Sequence, residues 1–292
     1  MKLRNLDKQR LILVDLDGTT LRDKDDEIHE HTKKSLIKAK NDGHKICIVT
    51  GRPWRAIQHI YEELELDTIV TNFDGAHIHD PKKQEFKRIV FSINNEIIQA
   101  IISEPEIEES VENILIEYYD KTLIWNSDDK DLFNFFHLND IGDKEKFIEG
   151  DPKVMWTGPS TNIVLKLKNN KRKNMVLRKL AKYQNAVKIQ SDILYGVKST
   201  SEKPVITLTN KNATKGEAAN ILAQYYNKDI RDVIAFGDQL NDFEMLQKVG
   251  HGIAMKNGSD SLKFVAKGIT YKTNDEGGLG LYLDIMLDGR EL

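Results

Sequence analysis

The sequence predicts an α/β fold with a Rossmann-like core, built on a parallel sheet and interrupted by an inserted α+β domain. Short apolar runs alternate with helical patterns near both ends of the chain, whereas its middle carries several strand candidates and few helices. The 292 residues suffice for one large domain or two modest ones. We therefore expect two core segments, 1–82 and 204–292, and an insert over 83–203.

The first core segment has the order strand, helix, strand, helix, strand. RLILVD (10–15), KICIVT (45–50) and TIVTN (68–72) are typical of buried strands. Helical patterns lie between them at 29–43, which ends at a glycine, and at 54–66. Such repetition implies parallel strands that are joined by crossover helices.

The insert is defined by strand candidates that few helices separate, which indicates a mainly antiparallel sheet. The acidic run SEPEIEESVEN (103–113) within it is expected to be solvent-exposed surface. Strands are predicted from FKRIVFSI (86–93), TLIWNS (122–127), FNFFHLN (133–139) and NIVLKLKN (162–169), and helices from NNEIIQAIISE (94–104) and KNMVLRKLAKYQN (173–185).

The α/β alternation returns from PVITLTN (204–210) onward. Helices that alternate with short apolar strands again indicate a parallel sheet, so this segment is expected to complete the core. The predicted elements are helices at 215–227, 241–250, 259–268 and 278–287 and strands at 231–238 and 251–255.

Composition and charge narrow the function classes. Hydrophobic residues make up 39% of the chain and charged residues 30%, which is typical of a folded domain. The net charge of −3 argues against nucleic acid or an anionic membrane as a partner. The basic N-terminal stretch has only a short apolar run, so we expect neither a secretory signal nor a membrane span. The single cysteine, Cys47, is expected to be a buried thiol, in keeping with a cytoplasmic protein.

Three predicted core strands end in polar residues that can carry chemistry. RLILVD ends at Asp15, KICIVT ends at Thr50, and RDVIAFGD ends at Asp238. Because the carboxyl ends of parallel strands share one edge of a sheet, these side chains are expected to converge there. Neighbouring glycines, Gly18 and Gly51 among them, permit tight turns and a close approach of the backbone.

The acids at these strand ends come in pairs, Asp15 with Asp17 and Asp238 with Asp242. A helix N-cap would explain a single acid such as Asp238, but it would not explain the pairing. Gathered carboxylates repel one another unless a cation neutralises them, and oxygen ligands of this kind suit Mg²⁺. The sequence therefore predicts a magnesium site that could also bind phosphate oxygens.

Four motifs, in this order, resemble those of the haloacid dehalogenase superfamily of phosphatases: DLDGT, VTGR, TKGEA and GDQLNDFEML. The insert lies between the second and third motifs, which resembles the Cof-type branch with its large α/β cap. The resemblance spans nearly the whole chain. It implies that the insert closes over the site as a cap domain, which excludes water and chooses the substrate.

The resemblance assigns a role to each matched acid. Asp15 matches the nucleophile that forms an aspartyl-phosphate, and Asp17 matches the general acid and base. A Mg²⁺ ion would be held by Asp15, by the backbone carbonyl of Asp17 and by Asp238. Asp242 would support the metal site or orient its waters. For proton transfer Asp17 would need a pKa above the ordinary aspartate value.

The resemblance also implies a phosphate-binding set. Thr50 and Lys215 match its hydroxyl and its ammonium group, the adjacent Gly51 belongs to the same motif, and Asn241 would add a hydrogen bond. Lys215 precedes a helical pattern, so the first helical amides could face the same anion. Without the other motifs, Lys215 would be taken for an ordinary exposed lysine.

Three features depart from the family pattern or stand outside it. Asp74, in NFDGAHI, lies where the family commonly has asparagine, and a turn-forming role is favoured for it. Thr20 replaces a residue that is often apolar, with little expected consequence. His77 and His79 have a metal-like spacing, although a hinge or a surface hairpin explains them better than a zinc site.

We therefore expect an enzyme, a Mg²⁺-dependent phosphatase that acts on a small phosphorylated metabolite, with a sugar phosphate as the commonest substrate type. The alternatives are a phosphomutase of the same superfamily, a phospho-aspartate receiver and a non-catalytic metabolite-binding protein. Receivers are small domains without a large insert, which disfavours that class. Trp125, Lys153 and Trp156 are candidates for substrate contacts in the insert, and the sequence predicts no oligomeric state.

Overall fold

The structure of the chain is a computed structural model. It describes residues 9–83, 85–142, 145–194, 197–198 and 201–289, so the outer ends of the predicted core segments, 1–8 and 290–292, lie outside the described residues. The chain divides into two compact units. The core unit comprises Met1–Thr50, His59–Arg88 and Thr214–Leu292, and the insert unit comprises Gly51–Gln58 and Ile89–Ala213.

Within the described residues, the strands are β1 (Leu11–Val14), β2 (Lys45–Ile48), β3 (Val70–Asn72), β4 (His77–His79), β5 (Ile89–Val90), β6 (Val111–Tyr118), β7 (Lys121–Ile124), β8 (Lys146–Glu149), β9 (Asn162–Leu167), β10 (Val187–Ser191), β11 (Ile193–Leu194), β12 (Val197–Lys198), β13 (Val205–Asn210), β14 (Ile234–Gly237), β15 (His251–Ala254) and β16 (Gly268–Ile269). The helices are α1 (Glu30–Asn41), α2 (Gln58–Glu63), α3 (Asn95–Ile102), α4 (Pro105–Glu108), α5 (Lys130–Phe135), α6 (Pro152–Met155), α7 (Asn170–Leu180), α8 (Lys215–Tyr225), α9 (Phe243–Lys248), α10 (Asp260–Val265) and α11 (Gly278–Leu287). Single helical turns lie at Trp54–Ala56, Phe73–Gly75, Leu138–Asp140, Ala181–Tyr183, Ile230–Asp232, Leu240–Asp242 and Asn274–Glu276.

The core unit is built on a five-stranded sheet in the order β16, β15, β14, β1, β2, in which every neighbouring pair is parallel. All four residues of β1 and all four of β14 are buried, as expected for parallel strands that are covered on both faces. The parallel sheet confirms the predicted Rossmann-like core. It also places the carboxyl ends of β1, β2 and β14 at one edge.

The chain after β2 continues the core with a short hairpin. Val49 pairs in parallel with Thr71 of β3, and β3 then pairs antiparallel with β4. The predicted helix at 54–66 is present in two pieces, a single turn followed by α2. Ile57, with φ −128°, ends the first turn and so interrupts the helix.

The insert unit contains a six-stranded mixed sheet in the order β10, β13, β9, β6, β7, β8. Neighbouring strands are antiparallel except β7 and β8, which are parallel. Side chains of α3 and α7 pack with alternate residues of β6 and β9 in one apolar cluster, and α5 packs with the other set of residues in a second. The α+β insert of the predicted fold class is therefore confirmed.

Two predicted elements of the insert are wrong. FNFFHLN, predicted as a strand, begins with the second half of α5, because the Asp129 side chain caps this helix by accepting from the Leu132 amide at 3.3 Å. Leu132 and Phe136 are buried four residues apart, which is the spacing of a helix. The acidic run predicted as surface includes the start of β6, an inner strand of the insert sheet.

The segment PVITLTN is also placed differently from the prediction. The sequence pattern predicts that it belongs to the second core segment, but β13 pairs antiparallel with β9, Val205 opposite Lys166, inside the insert sheet. FKRIVFSI forms only the short strand β5. The last segment of the core unit accordingly begins at Thr214, immediately before α8.

Two expectations from composition concern Cys47 and the membrane. Cys47 is buried in β2, and burial raises the pKa of its thiol to about 12, so the thiol is unreactive at neutral pH. No helix among the described residues is long and apolar enough to cross a bilayer.

Arg55 joins several elements of the insert unit through a buried ion-pair network. Its guanidinium donates to the carboxylate of Glu117 in β6 and, at 2.8 Å, to that of Glu145 before β8. It also donates twice to the Phe136 carbonyl at the C-terminal end of α5, where a cation is favoured. The side chain of Arg55 is 3% exposed and that of Glu117 is fully buried. Loss of Arg55 would remove the cation that both carboxylates share, while they remain largely buried.

Substitution of Arg55 by methionine should therefore destabilise the insert unit severely. Breaking a buried pair from one side typically costs about 3–5 kcal/mol, because the remaining charge stays desolvated. Urea denaturation of the purified chain measures this cost. The matched control is Arg231→Met, because Arg231 is 84% exposed and pairs only at the surface with Asp229. Equal unfolding midpoints for the two variants would contradict the prediction.

Candidate active site

β1 carries Asp15 to the edge of the core sheet. Its carboxylate follows four buried apolar residues, and the chain then turns through Leu16–Thr20. Thr20 Oγ1 donates to the Asp15 carbonyl at 2.5 Å, which fixes the turn. Gly18 adopts φ +68°, and a Cβ on it would lie 2.2 Å from Asp238 Oδ2. The glycine of DLDGT is thus required both by its conformation and by the acid that lies against it.

α8 brings Lys215 into contact with Asp15. Thr214 caps the helix by accepting from the Glu217 amide at 3.1 Å, so the helix begins at Lys215 itself. Lys215 is fully buried, and its Nζ lies 2.7 Å from Asp15 Oδ1 and 2.7 Å from Asp242 Oδ1. The reading of Lys215 as an ordinary exposed lysine is therefore excluded.

Asp238 and Asp242 lie at the end of β14. Asp242 Oδ2 accepts from the backbone amide of Asp238 at 3.0 Å and from that of Gln239 at 3.1 Å. Asp238 Oδ1 accepts from Thr19 Oγ1 at 3.1 Å. Asp242 therefore holds the backbone that carries Asp238, and its two oxygens are already engaged, one with these amides and the other with Lys215.

Asp15, Asp238 and Asp242 form a group that could hold a divalent metal ion. Each offers a carboxylate oxygen, and these oxygens all lie within 4.8 Å of one another. All three side chains are buried. A donor set made only of oxygens fits a hard cation such as Mg²⁺ better than a metal that prefers nitrogen or sulfur ligands.

The electrostatics of the site show that these acids are crowded. Burial, then the charge of Asp242, raises the pKa of Asp15 well above its ordinary value, although Lys215 opposes the rise. Burial and Asp242 likewise raise the pKa of Asp238 to about 7. Burial alone would lower the pKa of Lys215, but Asp15, Asp242 and Asp74 together raise it. Lys215 therefore stays charged, while the carboxylates would be stabilised as anions by a further cation.

The other predicted site residues are placed as follows. Asp17 lies half-buried in the turn after Asp15. Asn241 Nδ2 donates to Asp74 Oδ1 at 3.0 Å, and Asp74 in turn lies 3.9 Å from Lys215 Nζ. Thr50 is buried after β2, and its carbonyl accepts from the Asp74 amide at 3.0 Å. Gly51, the next residue, belongs to the insert unit.

The sequence does not single out Thr19 or Asn257, and its prediction of little consequence for Thr20 is wrong. Thr19 and Thr20 bond to Asp238 and to Asp15, so the threonine pair of DLDGTT orders the turn. Asn257 Nδ2 donates to the Gly18 carbonyl at 2.7 Å. A hydroxyl next to a catalytic motif is a signal that could have identified the threonines, whereas nothing local marks an asparagine 239 positions away.

The remaining candidates lie elsewhere. The rings of His77 and His79 stack at 4.2 Å within β4, and burial lowers the pKa of both, so they are neutral and buried within the core unit. Neither belongs to a possible metal-binding group among the described residues. In the insert unit, Trp156 is buried beneath the Lys121 ammonium, and Lys153 pairs with Glu108. Trp125 keeps 37% of its surface exposed.

Comparisons with known proteins agree with this geometry. The chain is 31% identical to the 5-amino-6-(5-phospho-D-ribitylamino)uracil phosphatase YitU of Bacillus subtilis (strain 168), across 94% of this chain and 97% of YitU. It is 26% identical to YwtE of the same organism, which is named for the same phosphatase activity, across 96% and 99% of the two chains. A haloacid dehalogenase-like hydrolase from Bacteroides thetaiotaomicron shares the fold, with a TM-score of 0.79 and 24% identity over 95% of this chain and 99% of that one.

The family assignment rests on a match to a family model over most of the chain. Residues 12–283 match the sequence model of the haloacid dehalogenase-like hydrolases, which includes every residue of the candidate site. The relatives are named as phosphatases, so the predicted phosphatase type of hydrolase is confirmed. The chain therefore belongs to the haloacid dehalogenase-like hydrolase family, within which it is a phosphatase.

Proposed function

We propose that this chain is a Mg²⁺-dependent phosphatase that hydrolyses a small phosphorylated metabolite through an aspartyl-phosphate on Asp15. The observation that carries the proposal is the position of the Lys215 ammonium, 2.7 Å from both Asp15 and Asp242. A fully buried cation beside a strand-end carboxylate can neutralise charge on a transferring phosphoryl group. Phosphate monoesters hydrolyse very slowly without such help.

In the first step, an Asp15 carboxylate oxygen attacks phosphorus in line with the ester oxygen. The new bond joins Asp15 to phosphorus, and the bond between phosphorus and the ester oxygen breaks. Asp17 gives its proton to the departing oxygen, so that the product leaves as a neutral alcohol. The turn at Gly18 supports this division of work, because it lets Asp17 point away from the direction of the strand.

In the second step, water hydrolyses the aspartyl-phosphate. Asp17, now deprotonated, accepts a proton from the attacking water, and the bond between Asp15 and phosphorus breaks. Inorganic phosphate leaves and both acids return to their starting states. Lys215, Thr50, Gly51 and Asn241 are proposed to bind the phosphoryl oxygens during both steps.

Magnesium would be held by Asp15, Asp238 and the backbone carbonyl of Asp17. Asp242 would act as a supporting residue, because its oxygens already accept from Lys215 and from two backbone amides. When bound, the ion supplies positive charge against the phosphoryl group and against the carboxylates. The raised pKa of Asp15 supports a role for the ion, because a nearby cation favours the anionic form and a protonated Asp15 could not act as a nucleophile.

We further propose that the insert is the cap domain that selects the substrate. Its sheet extends through β13, so bounds of 89–213 describe it better than the predicted 83–203. Exposed Trp125 is a better candidate for a substrate contact than buried Trp156.

The substrate class is proposed to be a sugar phosphate or a close relative of one. YitU and YwtE are named for a substrate whose phosphate is carried on a ribityl group, the chain of a sugar alcohol. A phosphorylated polyol and a sugar phosphate present the same groups, a phosphate monoester and several neighbouring hydroxyls. The match to YitU over nearly the full length of both chains supports this class.

The proposed activity can be tested with a panel of phosphorylated metabolites and one aryl phosphate. With Mg²⁺ present, the purified chain should release inorganic phosphate from the aryl phosphate and fastest from sugar or polyol phosphates. Asp15→Asn should lose at least about a thousandfold in turnover, because the amide cannot form the intermediate. A malachite-green assay of free phosphate makes both measurements.

The control for this experiment is Asp260→Asn, because the Asp260 side chain is fully exposed on α10. It should retain wild-type turnover. Full activity of Asp15→Asn would contradict the nucleophile assignment. An isomeric phosphate ester formed without free phosphate would instead identify a phosphomutase.

The metal assignment predicts a change in stability that does not depend on turnover. Mg²⁺ should raise the unfolding temperature of the wild-type chain, by the equivalent of about 2.7 kcal/mol at a hundredfold excess over Kd. Asp238→Asn should lose most of this response, because it removes one of the oxygen ligands. Differential scanning fluorimetry with Mg²⁺, against sodium chloride of equal ionic strength, measures it.

Asp260→Asn again serves as the control and should respond to Mg²⁺ like the wild type. EDTA should abolish phosphate release by the wild type in the same buffer. If Asp238→Asn kept the full Mg²⁺ response, the ion would have to bind elsewhere. Turnover that survives removal of all divalent metal would remove the requirement for Mg²⁺.

A further inference from the structure

The backbone around Asp74 is strained. Phe73, Asp74 and Gly75 have φ values of +51°, +53° and +106°, three successive residues in the left-handed region. Only glycine adopts this region without cost. Neighbouring backbone fixes this conformation through two contacts. The Thr214 carbonyl oxygen packs so closely that a Cβ on Gly75 would lie 2.5 Å from it, and the Asp74 amide donates a hydrogen bond to the Thr50 carbonyl. Such strain is typically stored at functional sites.

The conformation turns the Asp74 side chain into the site. Asp74 is 6% exposed, and its Oδ1 accepts from Asn241 and lies 3.9 Å from the Lys215 ammonium. It thus faces two of the residues that are proposed to bind phosphate. A residue that served only to form a turn would have no need to bury its carboxylate against them.

The carboxylate fixes the orientation of the Asn241 amide. A carboxylate can only accept hydrogen bonds, so the amide must present its NH₂ group to Asp74. The other end of the amide, Asn241 Oδ1, is buried and has no hydrogen-bond partner among the described residues. An unsatisfied buried acceptor is unfavourable, so the hydrogen bond to Asp74 is the contact that holds the amide in this orientation.

Asp74 also competes for the positive charge of Lys215. The ammonium already faces Asp15 and Asp242 at 2.7 Å, and Asp74 is a third carboxylate beside it. The negative charge of Asp74 lies behind Lys215 and Asn241, so it would repel a phosphate that these two residues bind. Like charges at such distances in a buried site weaken binding.

We propose that Asp74 is a positioning residue that orients Asn241 and lowers the affinity of the site for phosphate. This inference rests on the proposed function, and it names the residue that sets how tightly the phosphoryl group is held. The benefit is release of inorganic phosphate, which otherwise remains on the site as a product inhibitor. Asp74 would therefore favour turnover at the expense of affinity.

The test is Asp74→Asn, which removes the charge but keeps the shape, and asparagine tolerates a positive φ. The dissociation constant of inorganic phosphate is measured by titration calorimetry with Mg²⁺ present. Phosphate should bind about tenfold more tightly to the variant, the scale expected when one like charge is removed nearby. KM for an aryl phosphate should fall with it, while kcat does not rise. Asp74→Gly, which also suits the left-handed backbone, is the second variant if the first fails to fold.

Asp80→Asn is the matched control. Asp80 follows β4 in the same hairpin, and its carboxylate accepts from the backbone amides of Lys82 at 3.1 Å and Lys83 at 2.9 Å. The affinity of this variant for phosphate should not change. Unchanged or weaker phosphate binding by Asp74→Asn and Asp74→Gly would overturn the inference. Because calorimetry does not need turnover, an inactive wild type would refute the proposed function and still leave the role of Asp74 decided by the binding data.

Discussion

The site depends on one interaction, the burial of the Lys215 ammonium between the carboxylates of Asp15 and Asp242. An ammonium that is removed from water without partners is very unfavourable, and so is a carboxylate, so each group makes the burial of the other possible. The lysine reaches this position because Thr214 begins α8 there. Three separate segments of the chain, β1, α8 and the end of β14, are thereby fixed relative to one another at one edge of the core sheet.

That convergence could be predicted from the sequence because each part of it is local. RLILVD contains both the apolar strand and the acid that ends it, and RDVIAFGD does the same for Asp238. A parallel sheet then brings strand ends together whatever the distance between them along the chain. The same reasoning placed Lys215 at a helix start. Sequence alone therefore predicted the core sheet and the meeting of Asp15, Lys215 and Asp238 at one of its edges.

Features that depend on distant partners could not be predicted in the same way. The sequence does not predict β6, because this strand begins inside an acidic run, and only its pairing with β7 and β9 makes it an inner strand. The apolar pattern of β13 predicts a strand, but it does not reveal which sheet that strand joins. Asp74 looked like a turn former and is one, but its contact with Asn241 joins residues 167 positions apart. The spacing of apolar residues predicts which side chains are buried, but it does not predict which strand or residue they contact.

The charge balance of the site explains why phosphate and a divalent cation would be bound together. Burial, and then repulsion from Asp242, raises the pKa values of Asp15 and Asp238. Three carboxylates, those of Asp15, Asp242 and Asp74, lie within 3.9 Å of the single ammonium of Lys215. A phosphate alone would add to the excess of negative charge, and a divalent cation would relieve it. On the proposed function, each ligand therefore strengthens the binding of the other, since coupling between two ligands is reciprocal. Asp74 adds to the same excess from behind Lys215, so it increases the dependence of phosphate binding on the cation. Free phosphate would then be held only as firmly as catalysis requires.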